Sequence, residues 1–417
     1  MKIPQADPLA HIPQPAGRRL AFRVTPAAQR ALRGGHPWLF DEAVTRQGAG
    51  GEPGDLAVIF DDYRGFLAIG LYDPTSPIRV RVLQHGAPAT IDVAWLRDRL
   101  ATALALRSGL PETGTTGFRL VHGENDGLPG LVIDRYDATL VVKLYALVWV
   151  RWLSCLLAAL QEVSPSQCVV LRLSRDVSRH PEHLYGLTDG TTLAGPPPDG
   201  PVLFSENGLV FEADVVRGQK TGFFLDQRDN RARAGTLAAG RRTLDVFAYS
   251  GAFSVYAARG GAPEVLSLDS SEPALEAAGR NFAHNRHVQK VAASHHVQMA
   301  ADAFAALASL RDRGQRFGLV IVDPPSFAKQ QSEADRALRS YARLTALALG
   351  VLEAGGTLVV ASCSSRVNAP TFFAAVNRAA EQAGRPLNEM ERTGHALDHP
   401  VRFPEGAYLK CLFATAP

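Results

Sequence analysis

The feature that most constrains this chain is a repeated pattern between residues 241 and 325. Short, continuous apolar runs alternate with helix-like stretches, and carboxylates stand in or directly after the runs. The segment opens RRTLDVFAYSGAFSVYAARGG and closes FGLVIVDPPSFAK. Residues 243–247 read as a buried strand, followed by a turn centred on Gly251 and a helix from about Phe253. Residues 265–268 read as a second strand, ending on Asp269. Strands covered on both faces lose the inside–outside alternation and become apolar runs, as in a parallel sheet with helices on each side. Ligands of such sheets sit outside the carboxyl ends of the strands, where the strand order reverses. Asp245 with Gly251, Asp269 and Asp323 mark three such ends.

The turn FAYSGAFS has one glycine. Closing a backbone on a pyrophosphate takes the G-x-G-x-x-G spacing, so NAD and FAD are disfavoured. A carboxylate still follows the turn by roughly 20 residues, where a ribose would need it. Asp269 in that place, without a pyrophosphate loop, suits a nucleoside cofactor such as S-adenosylmethionine. The plainer alternative is that Asp269 caps the helix beginning near Glu272.

Several further stretches carry a resemblance. DVFAYSGAFS, SLDSS, AHN ending at Asn285, ADAF and VDPPSFAK look like successive motifs of a class I methyltransferase. GQKTGFFLDQRDNR upstream, and SCSS and HPVRFPEGAYLK downstream, resemble the bacterial rRNA large-subunit methyltransferase I family. That family methylates carbon-5 of a cytidine in large-subunit rRNA. The resemblance implies that S-adenosylmethionine is held by Lys220, Thr221, Gln227, Asp245, Phe247, Tyr249, Ser250, Gly251, Asp269, Ser270, Asp302, Ala303, Asp323 and Pro324. It implies ribosomal RNA as partner, a cytoplasmic location and no metal, with a homodimer as one open assembly.

The chemistry rests on two strand ends. Asp323–Pro324–Pro325 follows an apolar run, and its prolines fix the loop shape by removing backbone donors. Cys363 ends another run, TLVVASCSS. Carbon-5 of cytosine is a poor nucleophile, and a thiolate adding to carbon-6 makes it enamine-like; a covalent route splits one hard step into easier ones. Cys363 is therefore the expected nucleophile and Asp323 its catalytic neighbour, with the base that removes the carbon-5 proton open between Asp323 and a water. A cysteine at a strand end can equally be a small buried hydrophobe. Cys155, Cys168 and Cys411 are read as core. Many RNA cytosine-5 methyltransferases carry a second cysteine after the Asp–x–Pro turn, and Ser326 stands there in this chain. Two rival readings are a guanine-N7 rRNA methyltransferase, which needs no thiol, and a non-catalytic RNA-binding assembly factor.

Upstream, residues 18–88 contain short strands separated by turn-rich text, the pattern of a small β-barrel. The stretch resembles a PUA domain, with Arg33, Trp38, Arg79 and Arg81 as candidate RNA contacts. Residues 89–195 read as a small α+β middle domain, and 196–417 as the Rossmann-like class I methyltransferase domain, giving an α/β chain in three parts. Asp226 is expected to cap a helix, with Arg228, Arg231 and Arg233 facing solvent or RNA. The Pro-rich stretch up to about Ala16 is expected to be extended or loose. A net charge of +3 does not itself announce a nucleic-acid binder. Four scattered cysteines without ligand spacing argue against a disulfide framework or a zinc site. No signal-peptide core or membrane span is expected.

Overall fold

A computed structural model describes residues 7–15, 17–328 and 330–417. The chain forms two compact units, one of residues 1–205, 213–223 and 397–403, the other of 206–212, 224–396 and 404–417.

The first unit holds two sheets. A six-stranded sheet runs in the order Trp38–Phe40, Ile78–His85, Phe66–Tyr72, Leu56–Phe60, Arg19–Val24, Val44–Gln47. A five-stranded sheet is built from residues 117–194, with the hairpin Leu131–Tyr136 and Thr139–Leu144 at its centre. One apolar cluster joins the two sheets, from Leu56, Ile69 and Leu71 to Leu120, Leu131 and Leu140. Leu9 and Ile12 belong to it. The expectation of a loose start is therefore corrected for residues 7–15: two apolar side chains dock it, while residues 1–6 and 16 lie outside the described residues.

The second unit is a seven-stranded sheet. Its strands are β1 (Thr243–Val246), β2 (Glu264–Asp269), β3 (His295–Ala300), β4 (Phe317–Val322), β5 (Leu352–Ser362), β6 (Asn388–Thr393) and β7 (Lys410–Thr415). They stand in the order β3-β2-β1-β4-β5-β7-β6. The first five are parallel, and β7 pairs antiparallel with both β5 and β6. The order reverses between β1 and β4, which places the ligand crevice at their carboxyl ends. Helices Ala252–Gly260, Glu272–His284, Ala303–Asp312, Ala334–Val351 and Ala369–Gln382 connect the strands. The central strands are apolar because both faces are covered; every residue of β1 and β4 is buried.

The hairpin Val202–Glu206 and Leu209–Ala213 turns at Asn207 and Gly208, both with positive φ. That is the backbone a two-residue Asn-Gly turn adopts. Asn285 Oδ1 accepts from the Val210 N–H at 2.8 Å, and Asn281 Oδ1 accepts from the Glu212 N–H at 2.9 Å. The two asparagines, one in the last turn of the helix Glu272–His284 and one capping its end, thus satisfy an edge that would otherwise be left unpaired.

Candidate active site

The crevice begins at the loop after β1. Phe247 and Tyr249 hold φ of 65° and 49°, and Gly251 holds 71°. A Cβ on Gly251 would stand 2.6 Å from Ala278 Cβ, so glycine is required by both conformation and space. The loop is held by Asn281, whose amide donates to the Ser250 carbonyl at 2.8 Å. Strained non-glycine backbone persists where its surroundings over-determine it, commonly at ligand clamps.

Asp269 ends β2 with one oxygen accepting from the Tyr249 N–H at 2.9 Å and the other from the Ser271 N–H at 2.9 Å. The backbone therefore orients the carboxylate, and each oxygen keeps a lone pair for another donor. Ser271 is the residue that caps the following helix, through a bond from Ala274 N–H. The alternative role of Asp269 as that cap does not hold. Ser270 lies between the two, and Asp302 caps the helix that Ala303 begins.

Asp245 is fully buried on β1. Ser254 Oγ donates to one of its oxygens at 2.7 Å, and the other oxygen has no partner among the described residues. Burial pushes its pKa up to about 7, with the Asp269 charge adding to the rise and the Ser254 bonds opposing it. Ser250 Oγ is likewise buried without a partner. Buried polar atoms of this kind are rare unless a ligand or water meets them. A polar nucleoside fits this edge.

Asp323 follows β4, beside β1, with its N–H on the Val246 carbonyl at 3.3 Å. Burial pushes its pKa up to about 7; the Asp226 charge adds to this and the Gln227 amide opposes it. Pro324 is buried and Pro325 exposed. Cys363 stands directly after β5, partly exposed, with Sγ 4.0 Å from the Pro324 carbonyl. The thiol and the Asp323 loop thus face one another at neighbouring strand ends. Ser326, in the place of a second cysteine, is exposed and its hydroxyl donates to the Ala328 carbonyl at 3.0 Å. Cys168 and Cys411 are buried as expected, and Cys155 is partly exposed.

Two expectations upstream of β1 are corrected. Asp226 does not cap the helix Arg228–Thr236. It sits one residue before the N-cap Gln227, and its carboxylate accepts from Tyr408 Oη at 2.9 Å. Arg228 and Arg231 do not face solvent; both are buried, and Arg231 makes a two-pronged pair with Glu206 at 2.9 and 2.6 Å. A bidentate buried carboxylate is what lets a guanidinium leave water. Arg233 does lie toward the surface, paired with Glu391.

The second unit thus gathers Gln227, Asp245, Phe247, Tyr249, Ser250, Gly251, Asp269, Ser270, Asp302, Ala303, Asp323, Pro324 and Cys363 on one sheet and the segments beside it. Lys220 and Thr221 belong to the first unit, where Thr221 Oγ1 donates to Asp134 at 2.5 Å and the Lys220 carbonyl accepts from Lys143. In that unit Arg33 is half exposed and pairs with Asp61 at 3.0 Å. Arg79 donates to the Asp73 and Pro74 carbonyls, and Arg81 is buried near Asp73. Trp38 donates its indole N–H to Glu124 at 2.9 Å and meets the Phe403 ring edge to face.

A family model described as an S-adenosylmethionine-dependent methyltransferase matches residues 119–413, and a PUA-like domain matches 22–85. The chain is 47% identical over 406 residues to a ribosomal RNA large subunit methyltransferase of Deinococcus radiodurans, covering 96% of this chain and 98% of that protein. It is 38% identical over 389 residues to ribosomal RNA large subunit methyltransferase I of Pseudoalteromonas translucida, covering 92% and 96%. The chain belongs to this methyltransferase family. The methyltransferase uses S-adenosylmethionine, and its fold carries a PUA-like domain ahead of the Rossmann-like sheet. A Streptococcus mutans structure described as a candidate SAM-dependent methyltransferase superposes with a TM-score of 0.79 at 20% identity, over 95% of this chain and 99% of that one. At that identity it supports the fold alone. Among the described residues, no helix is long and apolar enough to cross a membrane and no cluster of ligands could hold a metal.

Two residues at the site carried no role in the sequence reading. Tyr341, buried, accepts from Ser362 Oγ at 2.9 Å. Lys410 is a buried lysine at the start of an apolar strand, an oddity visible in YLKCLF.

Proposed function

We propose that this methyltransferase methylates carbon-5 of a cytidine in large-subunit ribosomal RNA through a cysteine-linked intermediate. The observation that carries the reading is the facing of Cys363 and the Asp323–Pro324–Pro325 loop at adjacent strand ends. Ribosomal RNA as substrate follows the names of the relatives. The cytoplasm is the matching compartment, and the division at 18–88, 89–195 and 196–417 belongs to the same reading.

S-adenosylmethionine, when bound, would supply a methyl group activated by its sulfonium, the bond to sulfur breaking to leave a neutral thioether. Asp269, fixed by two backbone N–H groups, accepts from the ribose hydroxyls. Asp245 and Ser250 offer their unpartnered atoms, and the tight loop 247–251 admits the nucleoside beside Gly251. Gln227, Ser270, Asp302, Ala303 and Pro324 complete the lining.

The target cytosine leaves its stack to enter the crevice. The Cys363 thiolate then adds to carbon-6, and the ring electrons move toward N3. Asp323, with a pKa near 7, is partly protonated at neutral pH and gives N3 its proton. Carbon-5, now enamine-like, takes the methyl group. The Asp323 carboxylate removes the proton that carbon-5 still holds. The carbon-6–sulfur bond breaks, N3 releases its proton to water, and the thiolate returns. The net change is one methyl gained and one proton lost. With Ser326 where a second cysteine would stand, proton removal falls to the carboxylate.

The PUA-like domain presents the RNA. Arg33 is suited to this, since an exposed pair such as Arg33–Asp61 is worth only about 0–1 kcal/mol and yields to a phosphate. The experiment is methylation of unmodified rRNA with purified protein and labelled cofactor, followed by nucleoside mass spectrometry. Label in 5-methylcytidine is expected; label in N7-methylguanosine would replace this reading with the guanine rival.

A further inference from the structure

We propose that Lys410 is a positioning residue that favours ionisation of the Cys363 thiol by holding an ammonium against the loop that leaves it. The proposal rests on the reading of Cys363 as the nucleophile. Lys410 opens β7 opposite Ser362, the last residue of β5 and the neighbour of Cys363. It is buried, 4% exposed. Its ammonium donates to the carbonyls of Ser364 at 2.5 Å, Val367 at 2.5 Å and Tyr408 at 3.0 Å. The first two belong to the loop that leaves Cys363, so the lysine also fixes where that loop runs.

All three ammonium protons go to neutral acceptors. No carboxylate among the described residues pairs with Lys410. A buried cation without a counter-ion is costly, and such groups are normally paired. Burial pulls the Lys410 pKa down to about 8, and the group that opposes the fall is Cys363. The same attraction acts on the thiol, because a nearby cation favours the thiolate. A neutral amide could still make two of these three bonds and tether the loop. The charge is what the tether alone leaves unexplained.

Two other titratable groups at this end of the site, Tyr341 and Asp323, carry no positive charge. Tyr341, on the helix Ala334–Val351, has its pKa pushed up to about 12 by burial and is neutral over the working range. Asp323, just before the Pro324 carbonyl that faces Sγ, opposes the thiolate once it ionises. Lys410 offsets that opposition.

The test measures carboxamidomethylation of Cys363 by iodoacetamide against pH in the full-length protein. Mass spectrometry of the Cys363 peptide separates it from Cys155. In the wild type the alkylation midpoint is expected below the ordinary cysteine value of about 8.5; a midpoint at or above that value overturns the proposal without any variant. Lys410→Gln keeps donors for the carbonyls and removes the charge. It should raise the midpoint by about one unit or more, a roughly tenfold loss of alkylation rate at pH 7, while Lys410→Arg restores most of it. Retained S-adenosylmethionine binding by calorimetry shows that the fold survives. An unchanged midpoint in Lys410→Gln refutes the role. Alkylation reports ionisation and not addition to cytosine, so a low midpoint without any RNA adduct would sink the nucleophile reading and leave the ion pair standing.

Discussion

Asp245→Asn removes one ionisation from the middle of the sheet while keeping the shape of the side chain. The carboxyl is 1% exposed, and its pKa is pushed from 3.8 to about 7. The asparagine carbonyl can still accept from Ser254 Oγ. A raised carboxyl pKa means that the folded state holds the proton more tightly than the unfolded chain. That stability is fully present below the unfolded value near 4 and is lost as pH rises through about 7. A shift of this size corresponds to at most about 4 kcal/mol, at roughly 1.4 kcal/mol per unit. About 3 kcal/mol of it falls between pH 5 and pH 8. The variant has no such term, so its stability relative to wild type should climb by up to about 3 kcal/mol across that range. Urea unfolding of both proteins without cofactor at pH 5, 6.5 and 8 measures the difference. Two parallel stability–pH curves would refute the reasoning, because they would mean that Asp245 titrates normally in the fold.

Asp269→Ala should weaken S-adenosylmethionine binding by about 1.5–3 kcal/mol, the worth of hydrogen bonds to a charged group, read by calorimetry. Unchanged affinity would remove Asp269 from the cofactor site. Cys363→Ala should leave cofactor affinity and the thermal midpoint near wild type, since the thiol is partly exposed at a strand end. Methyl transfer to rRNA should fall to background in a radiolabel assay, and a comparable residual rate would exclude covalent catalysis.

The catalytic sheet was legible because its physics is local. An apolar run such as FGLVIV is what a strand covered on both faces by helices looks like, and the polar residue that follows marks where the strand emerges. The strands read at 243–247 and 265–268 fall within a residue or so of β1 and β2. The single-glycine turn also announced Gly251, whose positive φ and contact with Ala278 no other residue tolerates. What stayed illegible depends on partners distant in sequence. Arg231 looks like a surface arginine until Glu206, 25 residues earlier, meets it in the core. Leu9 and Ile12 sit in proline-rich text, and only the apolar cluster of the first unit shows why they dock. Lys410 is hidden for the same reason, since its three acceptors lie on Tyr408 and on a loop more than forty residues upstream. Arg81 repeats the case of Arg231: a basic residue on a strand reads as a contact for phosphate, yet its side chain is buried beside Asp73.

The central claim is that the Cys363 thiolate bonds to carbon-6 of a cytosine, and a trapped adduct tests it most directly. An rRNA fragment with 5-fluorocytosine at the target position is incubated with the protein and S-adenosylmethionine. Fluorine cannot leave carbon-5 as a proton does, so the carbon-6–sulfur bond cannot break. The account predicts a denaturation-resistant complex whose crosslinked peptide contains Cys363, and none with Cys363→Ala. Methylation of the unsubstituted RNA with no adduct on its fluorinated counterpart, or an adduct that persists in Cys363→Ala, would contradict it.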